Sequence, residues 1–217
     1  MKVKVLQNIL DANLQLAEKN RQFFEQRGIL ALNVMSSPGA GKTTLLVKAI
    51  ERLGRELGIA VIEGDIASTI DADRIGATGA PVVQINTGGG CHLDAGMVAK
   101  ALDSLDLTGT KLLFIENVGN LVCPAEFRLG ERLRVVLLSV PEGDDKPQKY
   151  PLMFAEADAV VVNKIDMLPL TDFNMDSFRR AVTGLKPDVR LFELSARTGD
   201  GLDKWLDWLR GEVKKTS

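Results

Sequence analysis

Histidine occurs once in these 217 residues and cysteine twice. A chain this poor in thiols suggests a reducing compartment, where the thiols remain available for metals. Aromatic residues make up only 5%, which argues against a base-stacking surface. Neither sign of charge dominates, since 27 Lys and Arg against 29 Asp and Glu leave −2. There is no electrostatic reason to expect nucleic acid or an anionic membrane as a partner. No apolar run reaches the ~18 residues that span a bilayer. The opening segment MKVKVLQNILDANLQLAEKNRQFFEQ has no small-residue cleavage site after an apolar core, so it does not read as a signal peptide. The expectation is a cytoplasmic protein.

What is present is ordinary globular material, 45% hydrophobic and 26% charged, in a length that suits one good-sized domain. Val5 to Phe24 reads as an amphipathic helix with Val5, Ile9, Leu14, Leu16 and Phe24 as its apolar positions, ended by Gly28. Residues 1–28 are thus expected to form a helix packed on a domain spanning 29–217. That domain alternates β-type runs (29–35, 59–65, 81–87, 111–117, 133–140, 158–164 and 189–195) with helical stretches, including Thr43–Leu57, Leu93–Leu105, Met175–Leu185 and Leu202–Val213. Several runs are apolar nearly throughout, as in strands covered on both faces. The pattern predicts an α/β fold, a mostly parallel sheet of about seven strands with helices on both sides. Ligands then bind at the carboxyl ends of the strands.

The first run ends in SSPGAGKTT, Ser36 to Thr44, a P-loop between a strand and a helix start. In the loop Pro38–Gly41, Gly39 and Gly41 let the backbone around Pro38 and Ala40 curl so that successive N–H groups point inward at a phosphate, and the following helix adds its dipole. Lys42 offers a charge to the terminal phosphates, Thr43 a hydroxyl to Mg²⁺, and Thr44 continues the loop. Ser36 stands where Gly or Ala is usual. Asp65 and Glu116 close apolar runs, where a buried carboxylate is costly without a cation or a donor. Asp65 is the candidate for Mg²⁺ or for positioning water, with Asp71 and Asp73 as alternatives, and Glu116 takes the Walker-B position. The plainer reading is that each is a strand-end charge in water.

VVVNKID places Asn163, Lys164 and Asp166 after another apolar strand. An aspartate can accept from both the ring N–H and the 2-amino group of guanine, and adenine satisfies neither. The stem of Lys164 can cover the purine, and Asn163 can tie neighbouring loops together. LSAR follows the next strand, with Ser195 and with Ala196 offering its N–H to the guanine oxygen. P-loop, NKxD and SA at successive strand ends indicate GTP and GDP, not ATP.

His92 is adjacent to Cys91 in TGGGCHLDAG, and Cys123 follows Glu116 by seven residues. Both segments lie on the carboxyl edge of the sheet, and in GTPases the second one senses the γ-phosphate. Two thiolates and an imidazole suit Zn²⁺ or Ni²⁺ but leave a position open for water, another residue or a second subunit. Two small buried thiols with a surface histidine, or a Cys91–Cys123 disulfide, are the alternatives.

Together SSPGAGKTTLL, INTGGGCHLDA, FIENVGNLVCPAEFRLGE, GDDKPQKYP and the pair NKID/LSA resemble the HypB-type hydrogenase nickel incorporation GTPases over nearly the whole chain. The resemblance implies a P-loop G-domain of the SIMIBI class that hydrolyses GTP slowly, forms a GTP-dependent homodimer and delivers nickel to [NiFe]-hydrogenase. It implies as partners another maturation protein and the hydrogenase large subunit. It places nickel or zinc on Cys91, His92 and Cys123, and nucleotide and Mg²⁺ on Lys42, Thr43, Asp65, Glu116, Asn163, Lys164 and Asp166. Some members carry an N-terminal cysteine- or histidine-rich metal motif. The first 90 residues here contain neither residue type, so the G-domain would handle the metal alone. Lys146 or Lys149 in GDDKPQKYP would reach toward a partner's nucleotide. The alternatives are a purely structural zinc site at a dimer interface, and a related chaperone for another metalloenzyme.

Overall fold

The computed structural model describes residues 2–66 and 68–216, with side chains from residue 10 onward. Seven strands form one sheet: β1 (Leu30–Ser36), β2 (Ile59–Asp65), β3 (Val82–Asn86), β4 (Leu112–Glu116), β5 (Leu133–Ser139), β6 (Ala159–Asn163) and β7 (Arg190–Glu193). Their order is β3-β2-β4-β1-β5-β6-β7, and every neighbouring pair is parallel. The predicted runs match β2, stop one residue before the end of β1, and overshoot the other strands by a residue or two at their ends.

Alternation along each strand divides the core between the two faces. Leu30, Leu32, Val34, Phe114, Leu137 and Val161 pack on one side against α2 (Lys42–Leu57) and α8 (Leu202–Lys214), where Trp205 is fully buried. On the other side Ala31, Ala60, Ile62 and Ile115 meet α1 (Lys2–Gln26) and α4 (Ala95–Leu102). Met35, Val136 and Val160 on that side meet α6 (Pro151–Ala155) and α7 (Met175–Leu185). Three short helices were not foreseen, α3 (Ile70–Gly76), α5 (Lys146–Lys149) and α6. The predicted helix at Leu93 starts at Ala95, because Asp94 caps it by accepting from the Met97 N–H at 2.7 Å and leaves Leu93 in the loop.

The N-terminal helix runs where expected but docks differently. Val5 and Ile9 lie outside the described side chains, and Leu14 and Leu16 are 51% and 37% exposed. The inward face is Asn13, Ala17, Asn20 and Phe24, spaced as one helical stripe. Asn20 donates from Nδ2 to the Ala95 and Leu129 carbonyls at 2.9 and 2.8 Å. Asn13 donates to the Arg128 carbonyl and accepts from the Ala95 N–H, both at 2.8 Å. Sequence periodicity selected the apolar residues, while buried amides make the joint. Asn20→Ala is therefore expected to cost about 1–3 kcal/mol by stranding two buried carbonyls, whereas Leu14→Ala stays within about 0.5 kcal/mol. Urea unfolding of the two variants checks this, and equal effects would mean the joint is apolar after all.

Candidate nucleotide and metal site

The sequence candidates gather along the carboxyl edge of β1, β2, β4 and β6. Residues 37–41 turn from β1 into α2 with Gly39 and Gly41 at φ 76° and 101°. Ser36 is fully buried, and its Oγ accepts from Lys42 Nζ at 3.0 Å while donating to the Ser37 carbonyl at 2.6 Å. The serine at the unusual first position thus anchors the loop's lysine. Ser37 in turn donates to Glu142, whose carboxylate also accepts from the Ser139 N–H and hydroxyl, each at 2.7 Å.

Glu116 ends β4 only 2% exposed and accepts from Thr43 Oγ1 at 2.8 Å. Its Oε2 is buried without a hydrogen-bond partner among the described residues. Burial pushes its carboxyl up to about 7, against the pull of Lys42 and Thr43. Sequence reading missed Glu63, which stands in register with Glu116 on the neighbouring strand, equally buried, with its own Oε2 unpartnered among the described residues. Burial, then the charge of Glu116, pushes Glu63 up to about 8. The available signal was alternation, since Glu63 shares a strand face with Asp65 in VIEGD. Two buried carboxylates with an open oxygen each form a costly arrangement that a divalent cation would relieve. The residues present therefore fit Mg²⁺. Asp65 ends β2 and accepts from the Ser68 N–H at 3.0 Å. Asp71 and Asp73 sit on α3, bound to Arg74 and Thr69, both at 3.2 Å. Arg74, also missed, donates to Thr44 Oγ1 at 3.0 Å, so α3 lies against the start of α2.

At the other end of the P-loop a cavity of about 530 Å³ is lined by Gly41, Thr44, Asn163, Lys164, Asp166 and Ala196, among others. Asn163 ties the loops together: it donates to the Ala40 carbonyl and accepts from the Ala196 N–H, both at 2.9 Å. The Ala196 N–H, the expected donor to a base oxygen, is donated here to Asn163 Oδ1. Lys164 takes a left-handed φ of 61° and spans the cavity to donate to the Gly39 carbonyl at 2.7 Å. Asp166 is paired through Oδ2 with Arg197 at 3.0 Å, and its Oδ1 is buried without a hydrogen-bond partner among the described residues. The Ser195 hydroxyl, then Arg197, hold its carboxyl below the usual range, after burial's opposing push. Lys146 and Lys149 both pair with Asp145 of their own chain.

Cys91, His92 and Cys123 converge, with their ligand atoms all within 4.8 Å of one another. The two sulfurs are 3.0 Å apart, and Cys91 Sγ is 3.5 Å from His92 Nδ1. The imidazole stacks on Phe127 at a centroid distance of 3.9 Å. Burial lowers the pKa of His92, favouring the neutral form that ligates metals. The neighbouring Cys123 thiol raises that of Cys91. Cys123 begins a single 3₁₀ turn, Cys123–Ala125, in the loop leaving Glu116. That loop touches the P-loop: a Cβ on Gly119 would lie 3.0 Å from Pro38.

Phosphate turn, buried acidic strand ends and a parallel sheet of this order define a P-loop nucleotide-binding protein of the SIMIBI class. The fold is shared with the signal recognition particle receptor FtsY from Elizabethkingia anophelis in complex with GDP, at a TM-score of 0.51 and 16% identity over 76% of this chain and 57% of that one. The family profile described as CobW/HypB/UreG, nucleotide-binding domain, matches residues 30–193. The hydrogenase maturation factor HypB of Azotobacter chroococcum is 52% identical over 207 residues, 95% of this chain and 68% of that protein. The crystal structure of HypB from Helicobacter pylori in complex with nickel has a TM-score of 0.88 and 38% identity, covering 94% of this chain and 96% of that one. The chain belongs to the HypB family of hydrogenase maturation factors.

Proposed function

We propose that this protein is a GTP-hydrolysing nickel chaperone for hydrogenase maturation, acting in the cytoplasm, in which the nucleotide state sets the metal site. One observation carries the reading. The three soft donors meet where the loop leaving Glu116 passes the P-loop, so one segment serves nucleotide and metal. Nickel is the cargo, held by Cys91, His92 and Cys123. Three donors leave coordination positions open, which suits exchange better than permanent storage. Zn²⁺ competes for the same thiolates.

Pro38 to Thr44 hold the phosphates, with Lys42 released from Ser36 to meet the terminal one. Thr43, Asp65 and Glu116 would hold Mg²⁺, which when bound neutralises phosphate charge. Asn163, Lys164, Asp166 and the Ser195–Ala196 turn form the guanine site. Hydrolysis to GDP and phosphate is slow, with Lys42 as the cation nearest the terminal phosphate. Loss of that phosphate frees the loop after Glu116 and changes the ligand set that includes Cys123. Ile66, Ile70 and Val122 are 49%, 68% and 56% exposed in these same segments. Such apolar exposure supports a face that meets a second copy in the GTP state. Hand-over would then be to another maturation protein or to the hydrogenase large subunit.

The test is nickel binding per subunit with Mg²⁺ and either GDP or a non-hydrolysable GTP analogue, in the native protein and in Cys123→Ala. Native affinity is expected to differ between the two nucleotides. Cys123→Ala should weaken nickel binding by roughly tenfold to a hundredfold in both. Metal content indifferent to nucleotide, with hydrolysis and dimerisation unaffected by a chelator, would instead favour a purely structural metal site.

A further inference from the structure

Both halves of the metal triad are tied to one buried side chain at the nucleotide edge. Asn117 directly follows Glu116 and is 1% exposed. Its Oδ1 accepts from the N–H of Leu93, the residue after His92, at 3.1 Å. The same oxygen accepts from the Val118 N–H at 3.0 Å. Leu93 is itself fully buried, seated over Gly64 so closely that a Cβ there would lie 2.8 Å from its side chain. Gly64 lies between Glu63 and Asp65. The Cys91–His92 segment is therefore held by Leu93 against the ends of both β2 and β4.

The other face of Asn117 leads to the second half. Its Nδ2 donates to Asn33 Oδ1 at 3.2 Å, and Asn33 donates to Glu131 Oε1 at 3.4 Å. Glu131 accepts from Arg134 Nε at 2.6 Å and from the Leu129 N–H at 2.6 Å. Arg134 donates to the Ala125 and Phe127 carbonyls at 2.8 and 2.9 Å. Those carbonyls flank the turn that carries Cys123 and the ring that stacks on His92. Arg134, Glu131, Asn33 and Asn117 are all buried, and in a low-dielectric interior such a connected network fixes geometry tightly.

We infer that Asn117 is the positioning residue that couples the nucleotide state to the metal triad, through Leu93 to Cys91 and His92 and through Asn33, Glu131 and Arg134 to Cys123. The inference rests on the nucleotide-gated reading above. Any shift of β4's end that follows phosphate binding moves the shared hydrogen-bond centre of both ligand segments together. The hydrogen bonds of Asn117 go to Leu93, Val118 and Asn33 and not to a metal donor, so its effect is expected on linkage rather than on the metal site alone.

The experiment measures the Kd of the full chain for Ni²⁺ with GDP·Mg²⁺ and with a non-hydrolysable GTP analogue·Mg²⁺, in the native protein and in Asn117→Ala. The native ratio of the two constants is expected to be about tenfold, falling to less than about twofold in the variant, while the Kd with GDP stays within about threefold of native. A variant that melts earlier yet keeps the native ratio would show a merely structural residue and overturn the inference. A native ratio of one would defeat the gated reading itself and take the inference with it. Should Asn117→Ala not fold, Asn117→Asp keeps the acceptor for Leu93 and removes the donor to Asn33. Its ratio is expected to fall below native, and a native ratio there is equally decisive against the proposal.

Discussion

Replacing Asp166 by Asn is expected to weaken GTP binding by on the order of a hundredfold to ten-thousandfold and to confer binding of xanthosine triphosphate in its place. Asp166 lies in the 3₁₀ turn Ile165–Leu170 that leaves β6 and reaches the cavity floored by Gly41. Its carboxyl is held below the usual range, so it is ionised at neutral pH and acts only as an acceptor. Guanine presents two adjacent donors to such a group, the ring N–H and the exocyclic amine. Asn keeps one acceptor and sets an amide N–H against that amine, leaving both unsatisfied. Xanthine carries a carbonyl where guanine has the amine, and the amide then matches it donor to acceptor. Arg197 pairs with Asp166 through Oδ2 and must share or yield that oxygen to the base. Titration of fluorescent guanosine, xanthosine and adenosine nucleotides measures the switch. An Asp166→Asn chain that still bound GTP like the native protein would place base recognition elsewhere.

The parallel sheet and its seven strands were legible because fully buried strands are written as apolar runs, and LLFIE or AVVVN has no competing reading. Site residues at strand ends were legible for the same reason: the first polar residue after such a run must lie at the sheet edge. Legibility failed where contact replaces composition. Asn13 and Asn20 dock α1, yet in a periodicity count they rank as surface positions beside Leu14 and Leu16. Glu63 sits inside an apolar run and reads as an interruption until its register with Glu116 is known. The short α3 is seven residues with two first-turn aspartates and no capping side chain, too little for a periodic signal. Ala196 lies just after β7, but the acceptance of its N–H by Asn163 is a contact that leaves no trace in composition. The convergence of Cys91 and His92 with Cys123, 32 residues after Cys91, follows from topology rather than spacing, since the strands they follow, β3 and β4, both flank β2 in the sheet.

Without nucleotide and divalent cation, the folded chain is expected to lose stability as pH rises from about 5 to 8, contrary to the usual behaviour of paired carboxylates. Glu63 and Glu116 are raised from 4.5 to about 8 and about 7 in the fold. Across that window the folded chain binds more protons than the unfolded one, so linkage makes unfolding easier as pH increases. The contribution is fully present below about pH 4.5 and is lost as pH passes through about 7 and then 8. Ionising both costs on the order of 8 kcal/mol by pH 8. His92 works against this trend, because its lowered pKa adds stability as pH rises toward 6.5. The depressed carboxyl of Asp166 titrates below the window and does not enter. Urea unfolding of chelator-treated protein from pH 5 to 9 reads the slope. Glu63→Gln should remove most of it and stabilise the ligand-free chain at pH 8, because the amide carries no charge to bury. Addition of GDP and Mg²⁺ should flatten the native profile, since a cation held by Asp65 and Glu116 would favour the ionised form of Glu116 and of the neighbouring Glu63. Stability that held constant or rose across this range in the ligand-free chain would mean that the two buried acids are already compensated, and that the strand ends are not poised for a cation.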